Sequence, residues 1–450
     1  MTKDLEVAKM LSKDKNRIRL YPLDSTVIGL ISTVFLILSV SGPASSFASE
    51  PLVLSLSQAY GMAMESNHDI RIAAESVEQG KLLQKQAITV LFPQLTANAG
   101  YSSTKYQDGT ESDGSSWGLS LNQTVYNGGR VWVAKRGAEY TLNAAQRGLE
   151  FARQSVLIDL ISRANELLTA EDLLKVSEKR VERVQEQLRQ AQARVDLGDM
   201  PRTNVLDAKV ALSSVQLERV EAQKTVALAG KRLSTLIGAD ADLRVEIPEV
   251  LVTLEGVSLH ALVEQAVKDR PDLAQSRELI RIAREEAELT RRDGHPDVDI
   301  TGSYTEYSDD DLFAPETQIG INLSWPFFQG GLVKLQTRES LSRVRQAEET
   351  YESQLDAVTL EVEEALLTLR TRRTQKQLVT DNLTTAMENH RLAKARFDLG
   401  AASSLEVLDA EENLAEAENL EVNYKYDTST AQAKLLYSIG ALDLKAFESK

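Results

Sequence analysis

Few residues in this 450-residue chain could do covalent chemistry, and their spacing argues against it. Cysteine is absent, and the four histidines, His68, His260, His295 and His390, stand far apart with no His/Glu spacing of a metal site. No nucleophile elbow is present. Gly128-Gly129 and Gly330-Gly331 lack the lysine and spacing of a phosphate loop, and read as breaks between strand and helix. No enzyme is expected and no cofactor is implied. What remains is electrostatic. Glu406 and Asp409 lie three apart at the start of a helical pattern, on one face, where carboxylates attract cations and resist anions. Acidic residues also suit a helix N-terminus, and Ser403-Ser404-Leu405-Glu406 has the form of a capping box.

The elements that must position these carboxylates are written twice. Gly128-Gly129 recurs as Gly330-Gly331, Ala193-Arg194-Val195-Asp196-Leu197-Gly198 as Ala395-Arg396-Phe397-Asp398-Leu399-Gly400, and Val205-Leu206-Asp207-Ala208 as Val407-Leu408-Asp409-Ala410, all at an offset of 202. Asn204 and Asp207 are thus the first-copy equivalents of Glu406 and Asp409. Upstream the offset is 203, as in Asp69 and Asp272 or Tyr101 and Tyr304. A repeat this long is a duplicated sub-domain rather than a solenoid unit.

Residues 1–48 differ from the rest. Six basic residues from Lys3 to Arg19 precede an apolar run, Val27 to Val40, too short to cross a bilayer, and Ser46-Phe47-Ala48 suits a cleavage site. This segment is expected to be an export signal, and its removal takes the net charge from −16 to −18. So acidic a chain is not expected to bind nucleic acid. A first repeat then covers 49–238 with a hairpin at about 95–126, a connecting segment 239–257, a second repeat 258–441 with a hairpin at about 298–328, and a tail 442–450.

Within each repeat the long proline-free stretches from Gly129 to Leu197 and from Leu332 to Leu399 predict helices of roughly 68 residues, about 100 Å long. Shorter helices are expected at Asn204–Leu236 and Leu405–Tyr437, after the glycine turns, and at Ser57–Val90 and Leu259–Arg292, before the strands. Stacked end to end, the two short helices of a copy would cover the long one. Leu160, Leu167, Leu174, Val181, Leu188 and Val195 keep a heptad spacing that predicts a coiled-coil seam. In the second copy Val362, Leu369, Leu383 and Phe397 hold that line, with Lys376 and His390 interrupting it.

The strand segments alternate. Trp117, Leu119, Leu121 and Val125 oppose Gly118, Ser120, Asn122 and Thr124. Ile319, Ile321, Leu323, Trp325 and Phe327 oppose Gly320, Asn322, Ser324 and Pro326. With partners at Leu95–Tyr101 and Val298–Tyr304 they predict two hairpins with polar tips at Gln107–Ser116 and Ser308–Pro315. Strands of this kind fit a transmembrane barrel, with Trp117, Tyr126, Trp325 and Phe328 as interfacial aromatics. Four strands cannot close a barrel, and an open edge in lipid costs several kcal/mol per unsatisfied group, so the wall must be shared between chains. Two chains would give eight strands around a filled interior, and three would give twelve, enough to leave a passage.

The order helix, hairpin, very long helix, glycine turn, helix, given twice, resembles the TolC-like outer-membrane efflux proteins over residues 51 to 442. The most specific pieces are Phe92-Pro93-Gln94-Leu95, the strand exits Tyr126-Asn127-Gly128-Gly129 and Phe328-Gln329-Gly330-Gly331, and the two Leu-Gly turns followed by Val-Leu-Asp-Ala. The resemblance implies a mainly α fold with a membrane β-barrel portion: a homotrimer whose twelve-stranded barrel in outer-membrane lipid continues into a helical tunnel across the periplasm, the connecting segment at its equator. It implies a passive exit duct of a tripartite efflux or type I secretion system, gated at its periplasmic tip. There the turns at Gly198 and Gly400 would meet a periplasmic adaptor served by an inner-membrane transporter of ABC, RND or MFS type. Glu406, Asp409, Asp207 and Asn204 would line the aperture. Phe397 and Ala402 replace the tyrosine and arginine that latch the tip in the well-known closed state, so that latch cannot form in the same way.

Two other readings share some of these features. A periplasmic coiled-coil scaffold without a pore would have the long helices but no membrane strands. A passive porin would be mostly barrel, whereas helix dominates here.

Overall fold

The computed structural model describes residues 52–105, 107–109, 111–239, 243–248, 258–309 and 312–444. The expected export signal and the 249–257 part of the connecting segment lie outside the described residues. The elements are β1 (Leu52–Ser55), α1 (Leu56–Ser66), α2 (His68–Ala87), β2 (Gln94–Lys105), β3 (Glu111–Asn127), α3 (Arg130–Asp196), α4 (Thr203–Ile237), β4 (Leu243–Glu246), α5 (Leu259–Asp269), α6 (Pro271–Arg291), β5 (Asp297–Asp309), β6 (Leu312–Ser324), α7 (Leu332–Asp398) and α8 (Ser404–Ser438).

The two long helices are 67 residues each, and α4 and α8 are 35 each, as the patterning requires. Gly129 and Gly331 begin the long helices at φ of 74° and 88°, a left-handed conformation open to glycine at little cost. Gly198 and Gly400 end them at 80° and 74°. The N–H groups of Asp199 and Ala401 close the turns onto the carbonyls of Arg194 and Arg396 at 2.9 and 2.8 Å.

The helices before the strands differ from expectation, because each is two. At Asn67 the backbone is extended and the side chain caps the next helix, accepting from the N–H of Asp69 at 2.8 Å. At Arg270 the break follows from Pro271, which supplies no N–H and disfavours helical geometry in the residue before it. Both breaks serve the same packing. Ser66 Oγ donates to the Ile237 carbonyl at 2.6 Å and Arg270 Nη1 to the Ser438 carbonyl at 3.0 Å, so each break satisfies the C-terminal end of the 35-residue helix of its own copy.

The helices form one layer. Along its first half α3 packs on α2 and α6, and along its second half on α4 and α8, while α7 packs on α6 and α8. The outer helices of this layer are α2 and α4 on one side and α7 on the other. The core is thickest at the waist, where Leu160, Ile161, Leu167, Leu233 and Ile237 bury β4 residues Leu243 and Val245, and where Leu273, Val362, Leu369 and Leu435 make the second-copy equivalent. Towards the turns it thins to small groups such as Val181, Val184 and Val215. The heptad line holds only partly. Leu160, Leu167 and Val181 are buried, but Leu174, Leu188 and Val195 are half-buried, and burial passes to Val184, Gln187 and Ala191. A helix of 3.6 residues per turn drifts about 20° per heptad unless it supercoils.

Strands β1 and β4 pair in parallel at the waist, and the four longer strands form one antiparallel sheet in the order β2-β3-β5-β6, so β3 and β5 join the two hairpins and β2 and β6 are open edges. The tips are tighter than expected, since β3 already begins at Glu111 and β6 at Leu312. The polar stretches read as loops are strand, because alternation is not required where both faces meet water.

Candidate functional site

The register sorts the sheet into two chemically distinct faces. Leu95, Ala97 and Ala99 oppose Leu121, Leu119 and Trp117, and Tyr304, Gly302 and Ile300 continue that face to Thr317, Ile319 and Ile321. The other face carries Thr96, Asn98 and Gly100, then Asn122, Ser120 and Gly118, then Thr301, Ser303 and Thr305. Ile319, Ile321 and Leu323 are largely open to solvent in the single chain, an arrangement that suits lipid and not water. Gly118 also has a packing reason: a Cβ there would lie 2.8 Å from the Tyr304 carbonyl oxygen.

Val125 departs from the expected alternation. A register shift between Thr124 and Tyr126 makes it the extra residue of a bulge and places Tyr126 opposite Val298 on the apolar face. Trp117 and Tyr126 are then nine positions apart, about 30 Å of strand, or roughly 23 Å of height at a tilt of ~40°. That matches the ~25 Å apolar band of an outer-membrane barrel. Trp117 lies tilted against Tyr304 at 5.7 Å, and near the helix end Trp325 meets Phe327 edge-on at 6.2 Å and donates through Nε1 to the Gly294 carbonyl at 3.2 Å. Phe328 is exposed beside them. Phe92, Trp132 and Phe327, which strand alternation alone did not single out as interfacial, are also exposed near this end.

At the opposite end the tip turns present bare leucines, Leu197 at 77% and Leu399 at 84% exposure, beside Gly198 and Gly400. The four acidic or polar candidates separate. Asp207 and Asp409 are exposed and line one cleft between α4 and α8, together with Arg180. Ser403 accepts from the Glu406 N–H at 3.2 Å, which is half of the capping box. The Glu406 carboxylate turns instead to the Arg396 guanidinium, which also donates to the Ala401 carbonyl at 3.2 Å. Asn204 lies half-buried in the first turn of α4.

The duplicated arginines at the tip were visible only as part of the repeat, and they have different partners. Arg396 stays within its own turn. Arg194 reaches the other copy, donating to the Asp398 carbonyl at 2.7 Å with its guanidinium 4.4 Å from the centre of the fully buried Phe397 ring. Phe397 thus stacks under a cation where a latching hydroxyl had no counterpart.

No helix among the described residues is long and apolar enough to cross a membrane, and no group of three or more metal-ligating side chains occurs among them. A family model described as outer membrane efflux protein matches the chain twice, over residues 59–239 and 262–441. The chain is 25% identical over 426 residues to the outer membrane protein TolC of Escherichia coli K12, covering 90% of this chain and 85% of TolC. It is 24% identical over 419 residues to the alkaline protease secretion protein AprF of Pseudomonas aeruginosa, covering 88% of this chain and 86% of AprF. The solved structure of the Campylobacter jejuni CmeC outer membrane channel superposes with a TM-score of 0.74 at 20% identity, covering 86% of this chain and 85% of CmeC.

Proposed function

The chain belongs to the outer membrane efflux protein family, and from that premise we propose that it is an exit duct that closes only by assembling with copies of itself. It is an outer-membrane channel protein of the efflux and secretion type. Its relatives serve multi-component systems, which implies periplasmic and inner-membrane partners. The finer assignment is ours: a homotrimer that meets a periplasmic adaptor at the Gly198 and Gly400 turns, fed by an inner-membrane transporter, with Asp409, Asp207, Glu406 and Asn204 around its narrow end.

The observation that carries this reading is a relation between two kinds of seam. Within the chain, the first copy meets the second through charge. Arg130 pairs with Asp297 at 2.5 Å and Asp293 at 3.2 Å, Arg136 with Glu285 at 2.7 Å, and Arg292 donates to the Gly128 carbonyl at 3.0 Å. Shifted by the repeat offsets, the same contacts between the second copy of one chain and the first copy of the next would bring Leu332 to Val90, with Phe328 and Phe92 nearby. All four are exposed in the single chain. Likewise Asn165 donates to Thr430 at 3.0 Å, and the shifted pair is Leu367 with Leu228, also exposed. Open strand edges and apolar helix edges lie on the same two sides, as a head-to-tail ring requires. Twelve strands with small polar inward residues leave a passage that eight would fill.

With no native cysteine, a clean test is available. The double variant Val90→Cys, Leu332→Cys should give, on oxidation in intact cells, a ladder ending at three linked chains in the outer-membrane fraction. A ladder ending at two would replace the trimer with a dimer. Uncrosslinked protein in the soluble periplasm would favour the pore-free scaffold.

A further inference from the structure

Below the waist the apolar side chains gather within helix pairs. Val181, Val184 and Val215 pack between α3 and α4, with Leu408 of α8 at the margin, and Ala386, Leu414 and Ala417 pack between α7 and α8. The seam that joins the two pairs, α3 against α8, is built of polar contacts. Asn165 donates to Thr430 at 3.0 Å, Tyr426 to Asp172 at 2.6 Å, Arg183 to Glu411 at 2.7 Å and Gln187 to Ser404 at 3.3 Å. Asn165, Gln187, Ser404 and Glu411 are buried there. At the waist the second copy meets α3 through apolar groups instead, where Ala433 and Leu442 join the first-copy core.

The repeat offset gives the matching seam between chains, α7 against α4 of the neighbour, and its chemistry is reversed. Asn165 and Thr430 become Leu367 and Leu228, and Val176 and Asn419, which line one cleft, become Leu378 and Leu217. All four leucines are exposed in the single chain, Leu378 at 66%. Asp172 and Tyr426 become Thr374 and Lys224, and Arg183 and Glu411 become Thr385 and Lys209, so neither charged contact is reproduced. The two seams therefore differ in what parting costs. Separated polar groups regain hydrogen bonds from water, and the net loss per bond is small. Separated leucines lose their burial and gain nothing in exchange.

We propose that the duct parts within its chains and holds between them. Each body that moves at the tip is then made by two chains, α7 and α8 of one with α3 and α4 of the next, and it hinges at the apolar waist. The inference rests on the proposed ring of copies and assigns its opening to the α3–α8 seam, where covalent continuity would suggest the firmer joint.

The test is alkylation of single cysteines in the full-length trimer purified in detergent, since the chain has no cysteine of its own. Ser404 is fully buried in the single chain and Leu378 is bare, so an isolated chain would label Leu378→Cys at once and Ser404→Cys slowly. In the trimer the order should invert, with N-ethylmaleimide modifying Ser404→Cys about tenfold faster than Leu378→Cys through local opening of the seam. Val215→Cys, inside the α3–α4 pair, should stay slow and so report that the tip has not unfolded. Adding Asn165→Leu with Thr430→Leu, which copies the pair between chains, should slow Ser404→Cys several-fold. Leu378→Cys that labels as fast as in denatured chain, with no trimer on semi-native gels, would remove the ring and this inference with it. A trimer in which Ser404→Cys reacts no faster than Leu378→Cys or Val215→Cys, or is not slowed by the added leucines, would overturn the inference and leave the ring standing.

Discussion

Arg194 and Phe397 are equivalent neither in sequence nor in copy, yet the guanidinium of one lies over the ring of the other, 4.4 Å from its centre. This contact and the 2.7 Å bond to the Asp398 carbonyl tie the end of α3 to the end of α7. Arg194→Ala should remove about 1–2 kcal/mol of local stability. Limited proteolysis should then cut the turns at 197–202 and 399–403 several-fold faster than in the unaltered protein, with Arg194→Lys in between because a lysine stacks and donates less well.

At the waist, Arg270 is buried and bridges Asp272 at 2.9 Å, Glu361 at 2.6 Å and the Ser438 carbonyl. Arg270→Ala leaves Asp272 buried without its counter-charge and should cost about 3–5 kcal/mol. A markedly lower unfolding temperature is the expected readout, whereas Arg163→Ala, whose bonds are on the surface, should shift it little.

Asp272 also makes stability depend on acid. Burial would raise its carboxyl, but the hydrogen bond and charge of Arg270 outweigh burial and hold it below the ordinary carboxylate range. Its contribution is therefore complete above the unfolded value of about 3.9 and is lost as pH falls through the lower folded value. Urea unfolding midpoints should decline below about pH 4, and Asp272→Asn should be less stable at neutral pH with a shallower acid decline.

The two carboxylates first singled out should behave differently. Asp409 is exposed in a cleft with Asp207, while Glu406 is engaged by Arg396. In planar bilayers Asp409→Asn should reduce cation selectivity and cation block. Glu406→Gln should act chiefly by freeing the 399–403 turn, seen as altered gating noise at nearly constant selectivity.

The long helices, both glycine turns and the two-faced strands were legible because each rests on a local rule: no helix breakers, a left-handed glycine, period-two alternation. The breaks at Asn67 and Arg270 had local signals too, but helical periodicity runs through them, and only docking onto Ile237 and Ser438 shows their purpose. The bulge at Val125 and the long reach of the strands into polar sequence depend on pairing with β5 and β6, which no single segment encodes. The carboxylates were found by spacing, but the side chains that divide their roles were not: Arg396, which engages Glu406, is 10 residues away across the turn, and Arg180, which shares the cleft of Asp409, is more than 200 residues away.

The thick waist and thin ends of the helical layer give the molecule mechanical leverage. From Leu167 to Gly198 a straight helix runs about 47 Å beyond its buried anchor, so a pivot of only 5° at the waist would swing the turn by about 4 Å. Displacements of that size need no unfolding and little repacking, since most of the lever arm is clasped by polar side chains that can exchange partners with water.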